Sequence, residues 1–89
     1  MLKIEITKRV GKFLAKLPSK HGRQLATKIQ ELRQNPEPHD SQILKGQAPY
    51  RRADVGEYRI IYFVQGDTLK VDLVGKRNDD DVYKQLKRL

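Results

Sequence analysis

At 89 residues the chain is long enough for one small domain, residues 1–89, with a modest core, and its 37% hydrophobic and 34% charged residues suit a compact soluble fold. Nineteen lysines and arginines against 11 acidic residues leave a formal charge of +8, which favours a polyanionic partner. The absence of cysteine excludes disulfides and thiolate metal sites, and no apolar run approaches the ~18 residues of a membrane span.

The N-terminal "MLKIEITKRV" has no signal-peptide core, so a cytoplasmic protein that does not engage membranes is expected. Within it, "LKIEI" (2–6) alternates, with Leu2, Ile4 and Ile6 on one face, and predicts a short strand. Thr7 is placed to cap a helix whose stripe is Val10, Phe13, Leu14 and Leu17, and Pro18 ends it. Ser19 is the expected N-cap of a second helix carrying Leu25, Ile29 and Leu32, which stops at Asn35–Pro36; the short link makes the pair an antiparallel hairpin. Residues 35–49, "NPEPHDSQILKGQAP", read as a loop pinned by Ile43 and Leu44.

The period then changes to two. "YRRADV" (50–55), "EYRIIYFV" (57–64) and "TLKVDLV" (68–74) predict a three-stranded antiparallel meander with turns at Gly56 and "QGD". Asn78 or Asp79 is expected to cap a last helix with Val82, Leu86 and Leu89 at i, i+4 and i+7. The fold class is therefore α+β, in the order β-α-α-β-β-β-α. It is a small antiparallel-rich sheet with the helical hairpin on one face and a C-terminal helix; the first strand must join the sheet to satisfy its backbone groups.

Nucleophile-elbow, phosphate-loop, zinc-protease and dinucleotide-binding motifs are all absent. His21 and His39 read as surface residues, and Asp79, Asp80 and Asp81 as helix-start carboxylates that complement the dipole, so no metal or other cofactor is expected. The basic residues in and beside the strands say more. Arg51, Arg52, Arg59, Lys76 and Arg77 are costly on a packed face and should gather on the open one, where converging guanidinium groups suit a phosphate. Arg59 lies inside the apolar run "YRIIYFV" and needs a partner, a rim position or a ligand. Tyr83 beside the last helix's stripe is either a half-buried packing residue or a group that stacks on a base or orients a reacting group.

"ILKG" (43–46), "YRRADVGEYRIIYFV" (50–64) and "VGKRNDDDVY" (74–83), in that order, resemble the RelE-type toxins of toxin–antitoxin modules, and the resemblance covers nearly the whole chain. It implies a ribosome-dependent, metal-independent messenger-RNA endoribonuclease, in which the ribose 2′-OH attacks the adjacent phosphate to leave a cyclic phosphate and a 5′-OH. It also implies a cognate antitoxin as partner, in a toxin–antitoxin hetero-oligomer, with the ribosome and mRNA as the other partners. Carried over by position, the family's site falls on Arg59 for transition-state phosphate charge, Arg77 for phosphate or leaving-group contact and Tyr83 for base or ribose placement.

Family members often carry two lysines, two residues apart, on the preceding strand; here those places hold Arg51 and Ala53. An arginine stays protonated, so Arg51 is expected to anchor phosphate, and Asp54, Glu57 and Lys76 are the candidates for the base. Arg52, Lys45, Lys76 and Lys84 are expected to bind RNA around the centre. Two other readings stay open: a ParE-like toxin acting on DNA gyrase, against which "GKRNDDDVY" argues, and a non-catalytic RNA- or antitoxin-binding module. In register, a three-residue Val55–Glu57 loop would set Ala53 opposite Arg59 with Arg51 on their face, and a Val55–Gly56 loop would oppose Arg52 to Arg59; the first is expected.

Overall fold

The computed structural model describes residues 1–78 and 81–87. Strand β1 (Lys3–Ile6) leads into helices α1 (Lys8–Ala15) and α2 (Ser19–Gln34). Four strands follow, β2 (Ser41–Ile43), β3 (Arg51–Val55), β4 (Tyr58–Gln65) and β5 (Thr68–Lys76), and then α3 (Asp81–Lys87). They form one α+β sheet in the order β1-β5-β4-β3-β2, with β1 parallel to β5 and every other pair antiparallel.

Thr7 caps α1 as expected, its hydroxyl oxygen accepting from the Val10 amide at 3.2 Å. The same hydroxyl donates to the Asp72 carbonyl, so the cap also ties α1 to β5. Ser19 is not a cap. The chain turns one residue earlier, at Pro18, whose carbonyl accepts from the Gly22 amide at 3.0 Å, and Ser19 is the first helical residue. Asn78 stands in a turn upstream of α3, while Asp79, Asp80 and Leu89 lie outside the described residues.

The stretch read as a loop contains β2, whose three residues pair with β3 from Ser41↔Ala53 to Ile43↔Arg51. No alternating β-branched run announces it; its partner strand makes it a strand. The element order is therefore β-α-α-β-β-β-β-α, one strand longer than expected, within the same fold class.

The β3–β4 hairpin has the register Asp54↔Arg59 and Val55↔Tyr58, so its loop is Gly56–Glu57. Neither anticipated register is correct. Gly56 has φ of 56° and, among the described residues, no non-glycine residue has positive φ, which matches a two-residue hairpin that needs glycine at its first loop position. Valine is penalised there, and so the loop starts at Gly56.

This register decides what each face carries. Ala53, Tyr58, Ile60 and Tyr62 join Val10, Leu25, Ile29 and Leu32 in the core beneath the helical hairpin. Ile61 and Leu73 on the other face join Leu44 and, from α3, Val82 and Leu86. That second face is thus partly roofed by α3. A bulge at Ile61/Tyr62 in the β4–β5 pairing shifts the alternation of β5 by one residue, so that Val71 and Val74 both face the first core and Leu73 the second, and Gly75 lies opposite Arg59. A Cβ on Gly75 would come within 3.1 Å of Val82 Cγ1, so the glycine lets α3 settle on β5.

Candidate active site

Asp54 and Arg59 are cross-strand partners, and Arg52, two residues before Asp54, shares their face. Arg59 Nε donates to Asp54 Oδ1 at 2.7 Å and Nη2 to Oδ2 at 3.2 Å, a two-point fork. Its Nη1 donates to the Tyr83 hydroxyl. Arg52 reaches the same hydroxyl with its own Nη1 at 3.4 Å and donates from Nη2 to Gln42 Oε1 at 2.6 Å. β2, β3, β4 and α3 therefore meet in one chain of side chains: Gln42, Arg52, Tyr83, Arg59 and Asp54.

Arg59 is the charge the sequence left unexplained, and its side chain is only 13% exposed. Asp54 supplies the partner. The hydrogen bonds from Arg59 hold the Asp54 carboxyl below its ordinary range against the opposing effect of burial, and the charges of Arg59, Arg52 and Arg77 add to this. Reciprocally, the Asp54 hydrogen bond raises Arg59, burial opposes it, and Tyr83 contributes in the same direction as Asp54. The charges of three guanidinium groups thus act on one carboxylate, with Arg59 in direct contact with it. Arg77 is exposed just past β5, its backbone amide donating to the Glu57 carbonyl at 2.9 Å.

The Tyr83 ring packs on the Leu44–Ile61–Leu73–Val82–Leu86 cluster, and the Arg59 guanidinium carbon lies 5.6 Å from its centroid. The glycine before Lys76 and Arg77 lets α3 close on the sheet, and that closure carries Tyr83 to Arg59.

Other expected members stand elsewhere. Arg51 pairs with Tyr62 and is on the helical-hairpin face, opposite to Arg59, because the loop begins at Gly56 and not Val55. Its Nη2 donates to Ser41 Oγ at 2.9 Å, and Nη1 lies 3.8 Å from Glu37. Lys76 pairs with Tyr58, also off the Arg59 face, and lines a groove with Arg9, Lys12 and Lys16. Lys45 is exposed in the turn after Leu44, and Lys84 is exposed on α3. His39 is exposed as expected, but His21 is half-buried, with Nδ1 2.8 Å from the Tyr58 hydroxyl. Gln42 was missed because its strand was missed. Asp54 was named only as a base, although the glycine-first hairpin rule would have set it opposite Arg59.

The profile of a family described as the ParE toxin of type II toxin–antitoxin system, parDE, matches residues 4–81. The chain belongs to the RelE/ParE superfamily of type II toxins. Among solved structures, this toxin is similar to RelE in the archaeal RelE–RelB complex from Pyrococcus horikoshii. The identity is 30% and the TM-score 0.76, over 85% of this chain and 94% of that one. The intact E. coli RelBE toxin–antitoxin complex gives 25% identity and a TM-score of 0.75, over 85% and 96%. The Methanococcus jannaschii RelB–RelE complex gives 26% and 0.70, over 96% and 98%. No curated protein matches the chain. Among the described residues of this RelE/ParE toxin, no helix is long and apolar enough to cross a membrane.

Proposed function

We propose that this toxin is a cytoplasmic, one-domain, ribosome-dependent mRNA endoribonuclease that needs no metal, held in check by a cognate antitoxin in a hetero-oligomer. The observation that supports it most is Arg59. Asp54 takes its Nε/Nη2 edge and Tyr83 one Nη1 hydrogen, which leaves one N–H on each Nη for a phosphate. Arg52 and the exposed Arg77 add positive charge whose influence reaches Asp54. Fixed cations of this kind stabilise the charge that builds on phosphorus as the 2′-oxygen attacks. Lys84 on α3 and Lys45 ahead of β3 extend the basic surface along the message, and Arg51 has no part in the centre.

None of the base candidates is free at the centre. Both Asp54 oxygens accept from Arg59. Glu57 is exposed in the hairpin loop, and Lys76 belongs to the other face. The 2′-proton is therefore assigned to water.

Complexes of similar RelE proteins with RelB support an antitoxin partner, and the formal charge of +8 suits an acidic one. The match to a profile described as ParE favours a second reading, action on DNA gyrase. Induction in cells followed by mapping of RNA 5′ ends separates the two. In-frame cuts confined to translated regions support the ribonuclease. Intact messages with altered plasmid supercoiling support the gyrase reading, and neither effect supports a binding module. Co-purification with the product of the adjacent reading frame tests the partner.

A further inference from the structure

The face that carries Arg59 and Arg52 continues along the sheet to an aromatic pair. One step past the Arg51↔Tyr62 pairing, Tyr50 and Phe63 stand side by side on that face, because side chains alternate along a strand. Their rings meet edge to face, with centroids 5.2 Å apart and planes at 75°. Both rings are half-buried, and Tyr50 packs on the same Leu44–Ile61–Leu73–Val82–Leu86 cluster that carries Tyr83. Tyr50 is held at three points. Its amide donates to the Gln47 carbonyl at 3.0 Å, its carbonyl accepts from the Leu44 amide at 2.8 Å, and its hydroxyl donates to Asp72 Oδ2 at 2.9 Å. Asp72 is the residue that the β4–β5 bulge leaves over between Val71 and Leu73. Among the described residues nothing donates to its other oxygen.

We propose that Tyr50 and Phe63 form a platform for one nucleobase of the message, about two nucleotides from the cleaved linkage, and that Asp72 selects there a base that carries an amino group. This deepens the ribonuclease reading above and rests on it. From Arg59 to Phe63 is four residues of β4, about 13 Å at ~3.3 Å per residue. An unstacked strand covers that span in about two nucleotides. Every base has a face that stacks on an aromatic ring, so the pair itself is tolerant of sequence. Asp72 is not. A carboxylate repels a phosphate, so the strand must turn a base and not its backbone towards Tyr50. A carboxylate only accepts, which suits the N4 amino group of cytosine. Uracil sets an oxygen at that place and leaves two acceptors facing each other. The three hydrogen bonds on Tyr50 and the bulge under Asp72 fix the platform before any message arrives, so little ordering accompanies binding.

The test is single-turnover cleavage of ribosome-bound messages with one cleavable linkage, in which nearby nucleotides on either side are made abasic one at a time. Phe63→Leu keeps the site apolar and removes the ring, and circular dichroism checks the fold. The expected loss for Phe63→Leu is about 5–150-fold on the intact message, the usual contribution of one stacked base. One abasic position should cost a similar factor, and there the variant should add little. At every other position the two losses should multiply, which a merely structural role for Phe63 would give throughout. Uracil in place of cytosine at the sensitive position should slow the wild type, and Asp72→Asn should remove that difference. Multiplication at every position overturns the platform while the ribonuclease reading stands, as does wild-type cleavage by Phe63→Leu. Equal wild-type rates on cytosine and uracil overturn the selection by Asp72. Wild-type protein that cuts no message overturns the ribonuclease reading and the platform with it.

Discussion

Removing the Asp54 carboxylate should destabilise the protein through Arg59. An exposed ion pair contributes about 0–1 kcal/mol, whereas stranding one partner of a buried pair costs about 3–5 kcal/mol. Arg59 is 13% exposed and Asp54 36%, so the pair belongs between these limits. Asp54→Ala should cost about 2 kcal/mol, on the order of 8–16 °C in Tm for a chain of this length. Asp54→Asn should cost less, because its amide oxygen still accepts from Arg59. A double-mutant cycle over Asp54→Ala, Arg59→Ala and the pair, read by urea unfolding, should show the second substitution costing less than it does alone. The pH dependence has a definite sign. Folding depresses the Asp54 pKa, so its contribution is fully present above the unfolded value near 3.8 and is lost as pH falls through the folded value. The stability gap between wild type and Asp54→Asn should therefore be flat from neutral pH down to the ordinary carboxylate range and close below it. Wild-type melting of Asp54→Ala, or strict additivity in the cycle, would refute the pairing as a source of stability.

Period and turn chemistry carried most of the fold. Thr7 could be read as a cap, the stripes of α1 and α2 as a hairpin, and the strands at 50–74 as a meander, because each depends on neighbouring residues alone. β2 could not be read so, since pairing with β3 creates it. The site shows the same division. Arg59 and Tyr83, which meet in the structure, were named through a family pattern, and Arg59 also through its place in an apolar run. Their relation was not, since a shift of one residue in the β3–β4 loop exchanges Arg51 for Arg52 and brings Asp54 to Arg59. That shift was decidable from Gly56 alone, the residue best able to supply a positive φ at the first loop position. The second roof over the sheet was hidden for a different reason: the closeness of Val82 to Gly75 is tertiary, and a lone glycine before two basic residues also reads as a turn.

The face assignment gives a clean contrast: Arg52→Ala should slow single-turnover cleavage of a ribosome-bound message strongly, while Arg51→Ala should leave it near wild type; the reverse order would undo the register argument. Arg59→Ala and Arg77→Ala should each lower that rate on the order of 10²–10³-fold with the circular dichroism spectrum kept, and Lys20→Ala on α2 should change little. Gly75→Ala addresses how α3 is seated. The added methyl would stand 3.1 Å from a Val82 side chain that is itself buried, so helix and strand must part by a few tenths of an ångström. Overpacking costs about 1–3 kcal/mol in general, and this overlap belongs at the low end. Loss of glycine's freedom in the unfolded chain returns about 0.4–1 kcal/mol, so the melting temperature should move little. Activity should fall further than stability, because Tyr83 follows Val82 on the same helix and its hydroxyl must meet two guanidinium groups at hydrogen-bond distance. Shortening the obstructing side chain in Gly75→Ala/Val82→Ala should recover cleavage while lowering stability, an opposite movement of the two readouts that a simple loss of packing does not produce. Wild-type cleavage by Gly75→Ala, or no recovery in the double variant, would mean that the contact between α3 and β5 does not set the position of Tyr83.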